Sequence, residues 1–270
     1  MVDVVSIVIA VVSLIGSLVA AGFTGWISFY LDQVKRRSEA KALIHKYRDP
    51  LMLAAYDLQS RLWGLSQGVL LRYTEDENKK DLVYVYTAFL VGQYFSWVYI
   101  LRRQAQFLRF STDKVNNELN KILDSITHQF SIDDYKDEHP FMLWRGQQMA
   151  IGESMTMTEE GQMYCIGFAA FALKYKNDLD FKRWFEPVDT GITHLVEANA
   201  RGNPLANYRL RRVQHLLVDL VILLDEQRLS ITGNSQLKVD AAHECKCAKC
   251  PGVIVAKPPL AAQFSKTTEP

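Results

Sequence analysis

Hydrophobic and polar positions along the chain fall into two regimes. From Val4 to Leu31 no charged residue interrupts VVSIVIAVVSLIGSLVAAGFTGWISFYL. Beyond Asp49, apolar residues recur at helical spacing instead. Asp49-Pro50 predicts a helix start, with a capping side chain followed by a residue preset for the first turn. Leu51, Ala55, Leu58, Leu62, Leu65 and Val69 then alternate steps of four and three. Such a stripe suits a coiled-coil seam or the inner face of a bundle, and Tyr56, Trp63 and Leu70 widen it toward the bundle. A second helix is predicted over 82–110, with Tyr86, Phe89, Leu90, Tyr94, Trp97 and Leu101 on one broad face. A third opens at Thr112 or Asp113 and carries Val115, Leu119, Ile122, Leu123 and Ile126. The last begins at Asn203-Pro204, striped by Val213, Leu216, Leu217, Leu220, Val221 and Leu224. SIDDYKDEHP, 131–140, reads as a solvated loop. The predicted fold class is all-α: a single N-terminal transmembrane helix followed by a helical-bundle cytoplasmic domain.

The uncharged run is 28 residues long. As a helix it measures roughly 42 Å against an apolar bilayer core of about 30 Å, so it spans with tilt. A cleaved signal peptide would need a basic leader and a shorter apolar run, whereas the leader here is Met-Val-Asp. Lys35, Arg36, Arg37, Lys41, Lys46 and Arg48 follow the run, which by the positive-inside rule leaves the bulk of the chain in the cytoplasm. Ser13, Ser17, Ala21 and Gly25 recur every four residues, a ladder that lets two such helices approach as a homodimer. The expected organisation is an extracytoplasmic 1–3, a transmembrane 4–31, a basic juxtamembrane 32–48, a helical domain 49–230 and a flexible tail 231–270. The bilayer is the expected partner.

Four phrases, YRDPLMLAAYDLQSRLWGL (47–65), QYFSWVYILRRQAQFL (93–108), FMLWRGQQMAIGE (141–153) and YCIGFAAF (164–171), resemble a group of uncharacterised proteins that join a membrane helix to a helical cytosolic domain. The resemblance covers roughly 47–185. It implies the same architecture and no particular activity.

Charge excludes little more. Lys and Arg number 31 against 30 Asp and Glu, so no nucleic-acid partner is expected. No phosphate-cradling loop, HExxH, GxSxG or dinucleotide fingerprint occurs. Asp57 and Arg61, four apart, are expected to pair. His215 and Asp219 share that spacing, which serves either two metal ligands or one hydrogen bond. Arg145, Gln148 and Glu153 lie between Trp and Met residues; turned inward, they would orient an anionic or amide-bearing ligand.

The densest chemistry is HECKCAKC, 243–250. His243, Cys245, Cys247 and Cys250 match tetrahedral zinc by ligand type. The spacing fits poorly, because zinc ligands come from two separated turns and these four fall within eight residues. Lys246 and Lys249 would offset thiolate charge, and S-acylation, redox sensing or no specific role are the alternatives. Cys165 reads as a small packing residue. The expected function is a membrane-anchored helical binding or scaffolding protein. A tethered enzyme or ligand sensor using Arg145–Glu153, and a thiolate metal sensor using 243–250, are the alternatives.

Overall fold

The computed structural model describes residues 4–104, 114–133, 140–202, 207–225 and 237–240, with Cys245, Cys247 and Cys250. Helix α1, Val4–Ser66, runs unbroken for 63 residues, about 95 Å at 1.5 Å per residue. Within it, Val11–Lys35 is long and apolar enough to cross a membrane, and none of it is buried in the protein. Ser13, Ser17, Ala21 and Gly25 are all exposed there.

The expected helix start at Asp49-Pro50 is corrected by this continuity, since Pro50 lies inside α1. An interior proline removes one backbone donor and crowds the carbonyl four residues before it, at a cost of about 3 kcal/mol. Packing compensates on either side, with Tyr47 and Leu51 buried in the core. The helix that leaves the apolar segment is therefore the helix that enters the bundle.

The C-terminal part of α1 packs against both α2 (Glu77–Gln104) and α8 (Tyr208–Leu224). Leu51, Ala55, Leu58, Leu62 and Leu65 are at most 1% exposed, so the four-three stripe is the inner face of the bundle. Val69 lies beyond the helix end and is exposed. Burying each such Leu contributes about 1.5–3 kcal/mol before entropy is counted. Helix α3, Lys114–Ser131, packs on α8, and α4, Arg145–Ser154, packs on α2. Gly152 makes that approach possible, because a Cβ there would stand 2.7 Å from the Phe95 carbonyl oxygen. A hairpin follows, with β1 (Thr156–Glu159) antiparallel to β2 (Gln162–Cys165) and Thr156 opposite Cys165. Its two turn residues, Glu160 and Gly161, both have positive φ, as a type I′ turn demands. Helices α5 (Phe168–Asn177), α6 (Leu179–Arg183) and α7 (Glu186–Ala200) complete the domain, α5 and α7 lying against α2.

The expected Asp57–Arg61 pair is not formed. Arg61 donates to Thr87 Oγ1 at 2.8 Å and to the carbonyls of Leu82 and Val83 at 2.9 Å, its guanidinium lying over the Tyr86 ring. Carbonyls of α2, each with a lone pair for a second donor, the Thr87 hydroxyl and a π face outcompete an ion pair that solvent would weaken.

Polar residues of α8 close the ends of other helices, whose last carbonyls lack intrahelical donors. Arg209, fully buried, donates to the carbonyls of Gln129, Phe130 and Ile132 at the end of α3. Asn207 and Arg211 both donate to the Ser66 carbonyl at the end of α1, each at 3.0 Å. These contacts set the position and rotation of α8, which carries the site described next.

Candidate metal centre

Helix α8 is buried on nearly every side, so its polar residues need partners inside the protein. Arg211, Gln214 and His215 are 4%, 0% and 1% exposed. They find those partners in the backbone of 237–240, within the stretch that periodicity assigned to a tail. Gln214 Nε2 donates to the Leu237 carbonyl at 2.9 Å, and its Oε1 accepts from the Val239 N–H at 3.2 Å. Arg211 Nη1 donates to the Asp240 carbonyl at 2.7 Å. Val239 itself is buried to 1%.

His215 joins this strap to the cysteines. Its Nε2 lies 2.6 Å from the Val239 carbonyl oxygen, which can only accept, so Nε2 carries the proton. Nδ1 is then a free lone pair, and it faces Cys247 Sγ at 3.2 Å and Cys245 Sγ at 3.5 Å. The ligand atoms of His215, Cys245, Cys247 and Cys250 all lie within 4.8 Å of one another. A tetrahedral site with Zn–S near 2.3 Å and Zn–N near 2.0–2.1 Å has ligand-to-ligand edges of roughly 3.5–3.8 Å. The two imidazole–sulfur distances stand close to that edge, and no separation exceeds it by more than about 1 Å. These four groups could hold a metal ion.

The electrostatics set the protonation states from which a metal would be bound. Burial, more than any other influence, holds the His215 pKa below its ordinary value, keeping the imidazole in the neutral form that binds metal. Burial also leads in pushing the Cys247 thiol up to about 12; the hydrogen bond with Cys245 adds to it, and Lys238 opposes it. A cation held among these sulfurs favours thiolates and drives protons off, as metal binding does generally. Lys238, with its side chain 5% exposed, pairs with Asp219 Oδ1 at 2.7 Å. A dication with three thiolates carries one net negative charge, and the Lys238 ammonium lies where it would offset it. Histidine with its second nitrogen on a backbone carbonyl is the usual outer-shell arrangement of a metal ligand.

The tail cysteines thus meet a histidine 30 residues earlier in the chain, which removes the spacing objection. His243 lies outside the described residues. Asp219 and His215 do not act as a ligand pair, since Asp219 is taken by Lys238. Arg145 and Glu153 are exposed on α4, while Gln148 is buried and donates to the carbonyls of Thr127 at 3.0 Å and Leu143 at 2.8 Å. Gln148 ties α4 to the end of α3, and the three residues form no common cluster. A cavity of about 190 Å³ lies elsewhere, between the end of α1, α7 and the start of α8, lined by Ser66, Asn199 and Arg211 among others. Cys165 is half-buried, with its thiol pushed up to about 11 chiefly by burial.

Compared with known protein families, curated proteins and solved structures, the chain has no match. Its own geometry is therefore the guide to function.

Proposed function

We propose that this protein is a single-pass, membrane-anchored helical binding or scaffolding protein whose C-terminal segment is fixed to the cytoplasmic bundle by a structural zinc centre. The observation that carries the reading is the placement of His215 Nδ1 against Cys245 and Cys247, with Nε2 committed to the Val239 carbonyl. Zinc is favoured because three thiolates and one imidazole form a soft, four-ligand tetrahedral set. Four protein ligands leave no open position for substrate or water, which supports a structural rather than a catalytic role.

The anchor is Val11–Lys35, followed by the basic run that retains the domain on the cytoplasmic side. Because α1 is continuous, the bundle is held close to the membrane by a helix that belongs to both. Self-association along Ser13, Ser17, Ala21 and Gly25 would present two bundles side by side.

Metal analysis of the reduced full chain in detergent tests the reading. Near-stoichiometric zinc, lost when Cys245, Cys247 and Cys250 are changed to Ser, is the expected result. Background metal in both proteins refutes the centre.

A further inference from the structure

Residues Leu237–Asp240 are bound to α8 much as a ligand would be. Their backbone supplies three acceptors and one donor, and each is met by a side chain of α8. Arg211, Gln214 and His215 stand three and four apart, on one helical face. The strap runs antiparallel to α8, because Lys238 meets Asp219 and Asp240 meets Arg211. Gln214 brackets Lys238, accepting the N–H of Val239 and donating to the carbonyl of Leu237. Gln214 also donates to Gln59 Oε1 on α1 at 3.1 Å, which fixes the amide for that task. Main-chain hydrogen bonds of this kind, made to an extended segment, are also what peptide-binding sites supply.

This face and the metal site share one residue. His215 holds the strap with Nε2–H and presents Nδ1 to the cysteines, so one tautomer serves both events. Cys245 lies only five residues beyond Asp240, and a metal on the cysteines therefore pins the strap in place. By linkage, whatever binding of metal does for the strap, docking of the strap does for metal.

Building on the zinc reading, we propose that Arg211, Gln214, His215 and Asp219 form a docking groove for an extended peptide of the Leu237–Asp240 kind, with the metal centre as its latch. With metal bound, the chain's own segment fills the groove. With metal removed, the same segment from a second copy competes for it. The bound strap defines the occupant: a basic side chain to meet Asp219, then a small β-branched residue whose N–H and C=O face α8.

The test uses the full chain, reduced and in detergent, with a fluorescent peptide carrying the sequence of residues 235–242, SQLKVDAA. The peptide is expected to bind chelator-stripped chain about tenfold more tightly than zinc-loaded chain. The same peptide with Val239→Asp is expected to bind neither. A second arm puts Val239→Asp into the full chain, which unseats the strap and leaves the four metal ligands in place. That variant is expected to bind the unmodified peptide even with zinc present and to lose about tenfold in zinc affinity. Equal peptide binding with and without zinc, or none to stripped chain that keeps its helical circular dichroism, overturns the groove. If stripping unfolds the chain, the Val239→Asp arm decides alone, and unchanged zinc affinity overturns the latch. Metal content measured on the same samples separates the two readings, since absent zinc refutes the centre while peptide binding to the variant still reports on the groove.

Discussion

His215 Nε2 lies 2.6 Å from the carbonyl oxygen of Val239, 24 residues along the chain. That contact selects a tautomer, turns Nδ1 toward the cysteines and binds an otherwise irregular segment to the last helix. Backbone carbonyls commonly orient metal-bound imidazoles in this way.

Two histidines compete for the nitrogen position, and substitution separates them. His215→Ala is expected to reduce bound zinc to background, while His243→Ala leaves it near stoichiometric, as measured by elemental analysis of the purified chain. The reverse pattern would place the nitrogen ligand in the tail. His215→Ala also strands the Val239 carbonyl, at about 1–3 kcal/mol for a buried unsatisfied group, so its denaturation midpoint should fall even without metal.

Gly152 is set by closeness, since its helical backbone is open to any residue. A Cβ at this position meets Phe95 O at 2.7 Å and Tyr99 Cβ at 2.9 Å, and backbone cannot swing aside as a flexible side chain can. Gly152→Ala is expected to destabilise the domain by about 1–3 kcal/mol, the usual range for overpacking, in urea titrations followed by circular dichroism. Unchanged stability would mean that α4 shifts freely on α2.

Asp189 gives a pH signature. Burial, the leading cause, raises its pKa, the neighbouring Glu186 adds to that, and the Tyr175 hydroxyl, donating to Oδ2 at 2.5 Å, opposes it. Its Oδ1 is buried without a partner. The folded pKa lies above the unfolded one, so the charged form is penalised in the native state. The penalty is present in full above the folded pKa and is relieved as pH falls through it toward the ordinary value of 3.8. Asp189→Asn keeps an acceptor for Tyr175 and removes the titration. The parent should therefore gain thermal stability relative to the variant as the pH is lowered from 7 toward 4. A gap that stays constant or widens in the other direction would show that Asp189 is not penalised.

Much of the architecture was legible in side-chain periodicity. Leu51 to Leu65 announced a buried face, and Val213 to Leu224 announced another, because 3.6-residue repetition and burial are local properties of a helix. Asp49-Pro50 misled for the same reason. A capping pair is a local preference of about 1 kcal/mol, and the packing of Tyr47 and Leu51 on either side carried the helix through it. Asp57 and Arg61 had the spacing of a pair, but Arg61 found carbonyls on α2 that no reading of α1 alone could place.

The candidate site divides along the same line. Cys245, Cys247 and Cys250 were visible by type, as three soft ligands at short intervals. Their histidine was visible only through its four-residue spacing from Asp219, which suggested a different ligand pair or a single hydrogen bond and nothing that linked it to the cysteines. The chain by itself determined an uncharged membrane-length helix, a set of amphipathic partners for it and a soft-ligand cluster, all encoded in neighbouring residues. The tertiary structure alone decided that His215 turns to the cysteines and that Leu237–Asp240 lies along α8. Those contacts bridge 19 to 32 residues, and they follow from the need of buried donors and acceptors for partners, which is met in space rather than in sequence.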